Sequence, residues 1–213
     1  MLQHKPVTTS PVSQAELPHD AGWWYANFRI LSEQDRPPLW HIDALLAGEV
    51  ITPVFDHHFQ DIRIWRVHRR AANDRYGHVF SFIFYTTPQH ARAIYEEIRA
   101  NPVLAQLQTK GLVTKILFDD PAHNRRPQIQ DTSDTHWPLL IQQTWPAMIM
   151  GASRMWLDMV GSLAAAHADE PDLVHRYELV EQDIDRLWAK NGQHAFLHHL
   201  DALFAYQPLL IRY

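Results

Sequence analysis

The sequence predicts an α+β fold, and three observations carry that prediction. Residues 79–85 (VFSFIFY) are apolar at every position but Ser81, the pattern of a strand buried on both faces. Residues 23–31 (WWYANFRIL) instead alternate Trp24, Ala26, Phe28 and Ile30 against Trp23, Tyr25, Asn27 and Arg29, the period of a half-buried strand. From residue 137 onward, apolar positions recur every three or four residues, which is helical spacing. A strand buried twice needs two covers, so helices are expected on one side of the sheet and a further layer on the other.

The elements follow in order. Residues 1–19 are rich in Pro, Ser, Thr and Gln and hold too little apolar surface to offset the entropy of ordering, so a disordered tail is expected. After the first strand, residues 35–38 (DRPP) break the chain, and residues 39–46 (LWHIDALL) place Leu39, Ile42, Leu45 and Leu46 on one helical face, with Gly48 expected to close the helix. Pro53 argues for a fresh first turn after it. Ile62, Ile64, Trp65 and Val67 begin a hairpin whose turn chemistry lies at residues 73–77 and whose second strand is residues 79–85. Thr87-Pro88 then opens a helix with a buried face of Ala91, Ile94, Tyr95 and Ile98, because proline suits a first helical turn. Asn101-Pro102 interrupts it; Val103, Leu104 and Leu107 form a short second piece, and residues 113–118 (VTKILF) form the last strand.

Beyond a polar, Pro- and Arg-bearing linker loop at residues 121–134, the chain reads as three helices. The first, residues 137–163, carries a wide apolar stripe through Trp145, Met148, Met155 and Trp156, with Pro146 as an expected kink. The second runs through Leu173, Tyr177, Val180, Ile184 and Trp188 to an expected end at Gly192, and the third spans residues 193–206. The run at 208–213 (PLLIRY) is expected to pack on the core, since each buried large apolar side chain contributes roughly 1.5–3 kcal/mol. The plan is thus a tail at 1–19, an α+β region at 20–120, the linker at 121–134 and a helical region at 135–213 packed on the sheet. The order β-α-β-β-α-β followed by a three-helix C-terminal region is a ferredoxin-like arrangement.

Composition narrows the chemistry. The 213 residues include no cysteine, which excludes disulfides, thiolate metal sites, iron–sulfur clusters and a cysteine nucleophile. A formal charge of −5 argues against broad nucleic-acid binding, which rests on phosphate neutralisation. No run approaches the ~18 apolar residues of a membrane span, and the first residues lack a basic start followed by an apolar core, so a soluble cytoplasmic protein is expected. Neither a Gly-rich phosphate loop nor a Ser-centred nucleophile elbow is present.

The leading functional expectation is a binding protein that holds a small apolar or aromatic ligand, or a protein partner, between sheet and C-terminal helices. Phe80, Phe82, Phe84, Trp145, Met148 and Trp156 would line the site, as aromatic and Met side chains line small-molecule pockets. A homodimer closing sheet on sheet is the alternative cover. The competing expectation is a metal-dependent hydrolase or oxygenase. At about 100° per residue, His194, His198 and Asp201 fall within roughly 60° of one another on one helical face, and two imidazoles with a carboxylate suit zinc or iron. A second group, Asp56, His57 and His58 with Asp61, reads as a polar turn, because adjacent residues do not face one another.

Residues 80–85 (FSFIFY) also resemble the end of the strand motif of RNA-recognition domains, although His78 and Val79 stand where that motif has a basic residue and then Gly. The resemblance implies rings that stack on bases, beside a phosphate-contacting stripe of Arg63, Arg66, Arg69 and Arg70.

Overall fold

The computed structural model describes residues 18–32, 36–72 and 74–206. Residues 1–17 of the tail expected at 1–19, and the run at 208–213, lie outside the described residues. The fold is mixed α+β, built on a four-stranded antiparallel sheet of order β2-β3-β1-β4. The strands are β1 (Gly22–Ile30), β2 (Ile64–Ala71), β3 (His78–Thr86) and β4 (Val113–Phe118). Period-two alternation sets the register: Trp24, Ala26 and Phe28 of β1 stand opposite Phe84, Phe82 and Phe80 of β3, while Trp65 and Val67 of β2 flank Phe84 and Phe82.

All of these apolar side chains face one side. There they meet Ile42, Leu45, Leu46, Val50 and Ile51 from the first helical stretch and Ala91, Ile94, Tyr95 and Ile98 from α3 (Pro88–Ala100). Thr87 caps α3 by accepting the His90 N–H, and Asn101 caps α4 (Pro102–Thr109) by accepting those of Val103 and Leu104. Two caps around two prolines divide what would otherwise be one long helix.

The first helical stretch runs on where the sequence suggests a stop. α1 (Trp40–Leu46) passes through a π-helical segment (Ala47–Ile51) into α2 (Thr52–His57), with Pro53 in the new first turn. Gly48 does not close the helix. It lies against α6 (Leu173–Leu187), where an added Cβ would stand 2.1 Å from the Tyr177 hydroxyl. That hydroxyl donates to Glu49 Oε1 (2.8 Å) across 128 positions of the chain, a contact to which the glycine gives access.

The opposite face of the sheet is covered over one half. Trp23, Ile64, Ile83, Tyr85 and Ile129 form a second small core. Trp23 Nε1 donates to the carbonyls of Gln128 and Ile129, and the Tyr85 hydroxyl donates to that of Pro127. Residues 121–134, expected as a linker, therefore supply this cover through a 3-10 turn (Ile129–Thr132). α5 (Leu139–Ala166) is continuous through Pro146 and lies along the β2 edge, where Ser153 Oγ accepts the Val67 N–H (3.2 Å). A bare strand edge thus gains a buried acceptor. After α6, a π-helical segment (Trp188–His198) leads into α7 (His199–Leu203). Gly192 lies inside that segment rather than ending a helix, packed on the Trp188 ring. Among the described residues no helix is long and apolar enough to cross a membrane.

Candidate functional site

The uncovered half of the second sheet face ends at the β2–β3 hairpin, where three local arrangements converge. The first is the hairpin tip. Asp74 Oδ1 accepts the N–H groups of Tyr76 (2.9 Å) and Gly77 (3.2 Å), and the carboxylate pairs with Arg70. Arg70 first, then the Tyr76 N–H, hold its carboxyl at about 2, so the tip keeps this anchor across ordinary pH. Gly77 takes φ +62°, a left-handed backbone that favours glycine.

The second arrangement is the register. Lys115 of β4 stands opposite Arg29 of β1, which stands opposite Val79 of β3, which stands opposite Arg70 of β2. Three cations share one row. Like charges directly opposite one another destabilise a sheet, and no described carboxylate forms an ion pair with Arg29 or Arg75. Arg70 is compensated by Asp74 and separated from Arg29 by Val79, so the like charges directly opposite are Lys115 and Arg29, and local rules broken in this way concentrate at functional sites.

The third is aromatic. The Tyr76 ring is 45% exposed, with the guanidinium carbons of Arg75, Arg70 and Arg29 at 4.6, 5.8 and 6.0 Å from its centroid. Arg29, Arg75 and Tyr76 open onto a cavity of about 680 Å³ that Ser32, Arg36, Asp74, His78 and Thr114 also line, whereas Arg70 and Lys115 stand outside its lining. A second cavity of about 460 Å³ shares Leu31, Arg36 and Pro38 with it and adds Pro37, Leu39 and His41, an apolar annexe to a basic chamber.

A buried ion network forms the inner wall. His78 Nε2 lies 3.0 and 3.1 Å from the two oxygens of the fully buried Asp43, and Arg69 donates to Asp43 (3.0 Å), Glu181 (2.7 Å) and the Trp40 carbonyl (2.9 Å). Trp40 and Trp156 hold the Arg69 guanidinium between them at 5.1 and 4.9 Å. Burial pushes the Glu181 carboxyl up, against the pull of Arg69. Removing one partner of such a network typically costs ~3–5 kcal/mol, because a buried charge is left uncompensated.

The sequence-predicted residues are distributed otherwise. Phe80, Phe82 and Phe84 are fully buried on the helix side of the sheet, Phe82 stacked on Phe84 at 4.9 Å. The rings that the RNA-recognition resemblance would offer to bases are therefore core, and the other side of this strand carries the half-buried Val79 and the buried Ser81. Trp156 reaches Phe80 (6.3 Å), Trp145 lies under Arg66 (5.1 Å), and Met148 is exposed. Of the six, Phe80 and Trp156 are brought together, and none of them lines the two cavities at the hairpin end of the sheet. The arginine stripe also divides. Arg69 turns to the buried network, Arg66 to Thr132 and Trp145, and Arg70 to the hairpin tip.

Among the C-terminal candidates, His194 and His198 stack at 5.1 Å and 17°, with His199 against both. Residues four apart lie one above the other on a helical face, and within this π-helical segment the two rings do so. The metal-capable side chains whose ligand atoms converge within 4.8 Å, among the described residues, are His57, His58 and Glu97. Sequence reasoning placed no role on Arg29, Arg75, Tyr76 or Glu97. Only the cross-strand register and the packing of α2 on α3 bring them into play. No family model, curated protein or solved structure matches the chain.

Proposed function

We propose that this chain is a ligand-binding protein whose site is the cavity at the hairpin end of the sheet, and that its ligand is a phosphate-bearing molecule with a planar ring, of the nucleotide class. The observation that carries the reading is that Arg29 and Arg75, neither ion-paired with a described carboxylate, stand against the exposed Tyr76 ring in the lining of one cavity. Guanidinium groups bind phosphate oxygens with charge-assisted hydrogen bonds, the Tyr76 ring offers a stacking surface, and the apolar annexe at Pro37, Pro38 and Leu39 suits the remainder of a planar ligand. A cavity of about 680 Å³ falls within the roughly 300–1,000 Å³ usual for small-molecule sites. The overall charge of −5 does not oppose this reading, because the charge that matters is local. The strand order β2-β3-β1-β4 with helical crossovers supports reading the α+β region as ferredoxin-like, with the ligand at the loop end of its sheet.

Calorimetric titration with a nucleoside, its mono-, di- and triphosphates and a short single-stranded oligonucleotide tests the proposal. Phosphorylated ligands should bind and the bare nucleoside should not. Substitution Arg29→Met or Arg75→Met should weaken binding roughly tenfold or more, since a hydrogen bond to a charged group is worth ~1.5–3 kcal/mol. Preference for the mononucleotides places the source as a free ligand; preference for the oligonucleotide places it in a strand. A wild type that ignores all of them refutes the reading.

A second reading, a protein partner, is favoured by a different observation. Ile141, Met148 and Met155 of α5 are 47%, 49% and 37% exposed and stand seven residues apart, the spacing of a two-helix seam. The occupant that fits is α5 of a second copy, meeting this one about a two-fold axis. Light scattering should then give a dimer mass at micromolar concentration and a monomer for Met148→Lys. A monomeric wild type removes this reading.

A further inference from the structure

The C-terminus of α2 holds a group of side chains that neither the cavity nor the buried network uses. α2 ends at His57, and His58 is its C-cap residue with φ −101° and ψ 13°. The change of backbone between the two undoes the rule that neighbours on a helix diverge, and both rings swing toward α3. His57 Nδ1 stands 2.8 Å and His58 Nε2 3.0 Å from the same oxygen, Glu97 Oε2, with the two ring centroids 4.8 Å apart.

We propose that His57, His58 and Glu97 form a binding site for a zinc-class divalent cation. Two imidazole nitrogens and one carboxylate oxygen are a donor set that zinc accepts, leaving a fourth position for water. All three ligand atoms lie within 4.8 Å of one another, so modest side-chain rotation brings them onto one ion. A second feature points the same way. With Nε2 committed to the ion, His58 turns Nδ1 toward Asp61 Oδ2 at 3.9 Å, and Asp61 in turn lies 3.6 Å from His90. At that distance the two do not hydrogen-bond, but a small rotation of Asp61 would set its carboxylate behind the metal-bound imidazole, the arrangement that fixes a ligand's tautomer and raises its basicity. The loop carrying Asp61 is itself held: its N–H donates to the His58 carbonyl (2.9 Å), and its carbonyl accepts from the Thr86 hydroxyl (2.6 Å). His57, 71% exposed at its side chain, leaves the ion open to solvent. The ion would pin α2 to α3 across the helical layer.

Zn2+ titration of metal-free protein, read by calorimetry and by elemental analysis after dialysis, tests the proposal, with Co2+ absorption reporting a nitrogen and oxygen ligand set. One equivalent should bind, and its affinity should fall about tenfold or more in Glu97→Gln and in His58→Gln. Glu97→Gln keeps the size and one acceptor of the carboxylate, so circular dichroism can establish that its fold is unchanged even if His58→Gln does not fold. Bound Zn2+ should also raise the melting temperature of the wild type but not of Glu97→Gln. A wild type without affinity tighter than about 100 µM, a Glu97→Gln protein that binds as the wild type does, or binding that is lost in His194→Gln instead would each overturn the assignment.

Discussion

Single residues illustrate how far side-chain chemistry can be read before the fold is known. Arg69 and Arg70 are neighbours of the same type, yet one enters a buried network with Asp43 and Glu181 while the other anchors the hairpin tip at Asp74. Strand alternation predicts that they diverge, but it does not say which side is covered. His41 and His68 show the same limit. Burial pushes both imidazoles below their ordinary 6.5; Glu178 and Asp43 oppose this at His41, whereas Arg66 and Arg70 reinforce it at His68. A histidine with a depressed folded pKa is protonated first in the unfolded chain, so stability is level above 6.5 and falls as pH drops from there toward the folded values. Urea unfolding between pH 7.5 and 5.5 should show that decline, and His41→Gln should make it shallower. An unchanged slope in His41→Gln would mean that the titration resides elsewhere.

Elements were more legible than sites. The alternation at residues 23–31, the capping pairs Thr87-Pro88 and Asn101-Pro102, and the strand at 113–118 are local signals, and the structure places β1, α3, α4 and β4 at them. The signals that misled were glycines read as helix ends. Gly48 and Gly192 sit within continuous helical stretches because a ring packs against each, Tyr177 and Trp188 respectively, and for Gly48 no local pattern announces a partner on α6. Gly48→Ala would drive its methyl group into the Tyr177 hydroxyl and break the bond to Glu49. Overpacking of this kind costs typically ~1–3 kcal/mol, against the slight gain alanine gives an ordinary helix position. Thermal melting should therefore show a lower midpoint for Gly48→Ala, and a partial recovery in the double variant with Tyr177→Phe. A Gly48→Ala protein that melts higher than the wild type would mean that helix propensity outweighs the contact.

At the scale of the whole molecule, the sheet has one face sealed by helices and the other sealed over half its length. The apolar run at residues 79–85 announced two covers, and both exist, but it could not assign them. Phe80, Phe82 and Phe84 went to the helices, and the linker, not the C-terminal helices alone, closed the second face around Trp23 and Tyr85. The cationic row was invisible in the sequence because Arg29, Arg70 and Lys115 are far apart in the chain and meet only through strand register. Net charge concealed it as well, since acidic residues elsewhere outnumber the bases. The most direct test of the proposed site is a map of amide resonances during titration with a nucleoside triphosphate. Binding in the cavity predicts that the amides of Ser32, Tyr76, Gly77 and Thr114 shift together with one affinity and that Arg29→Met moves those shifts to roughly tenfold or more higher ligand concentration, whereas shifts confined to α5 and α6, or none at all, would contradict it.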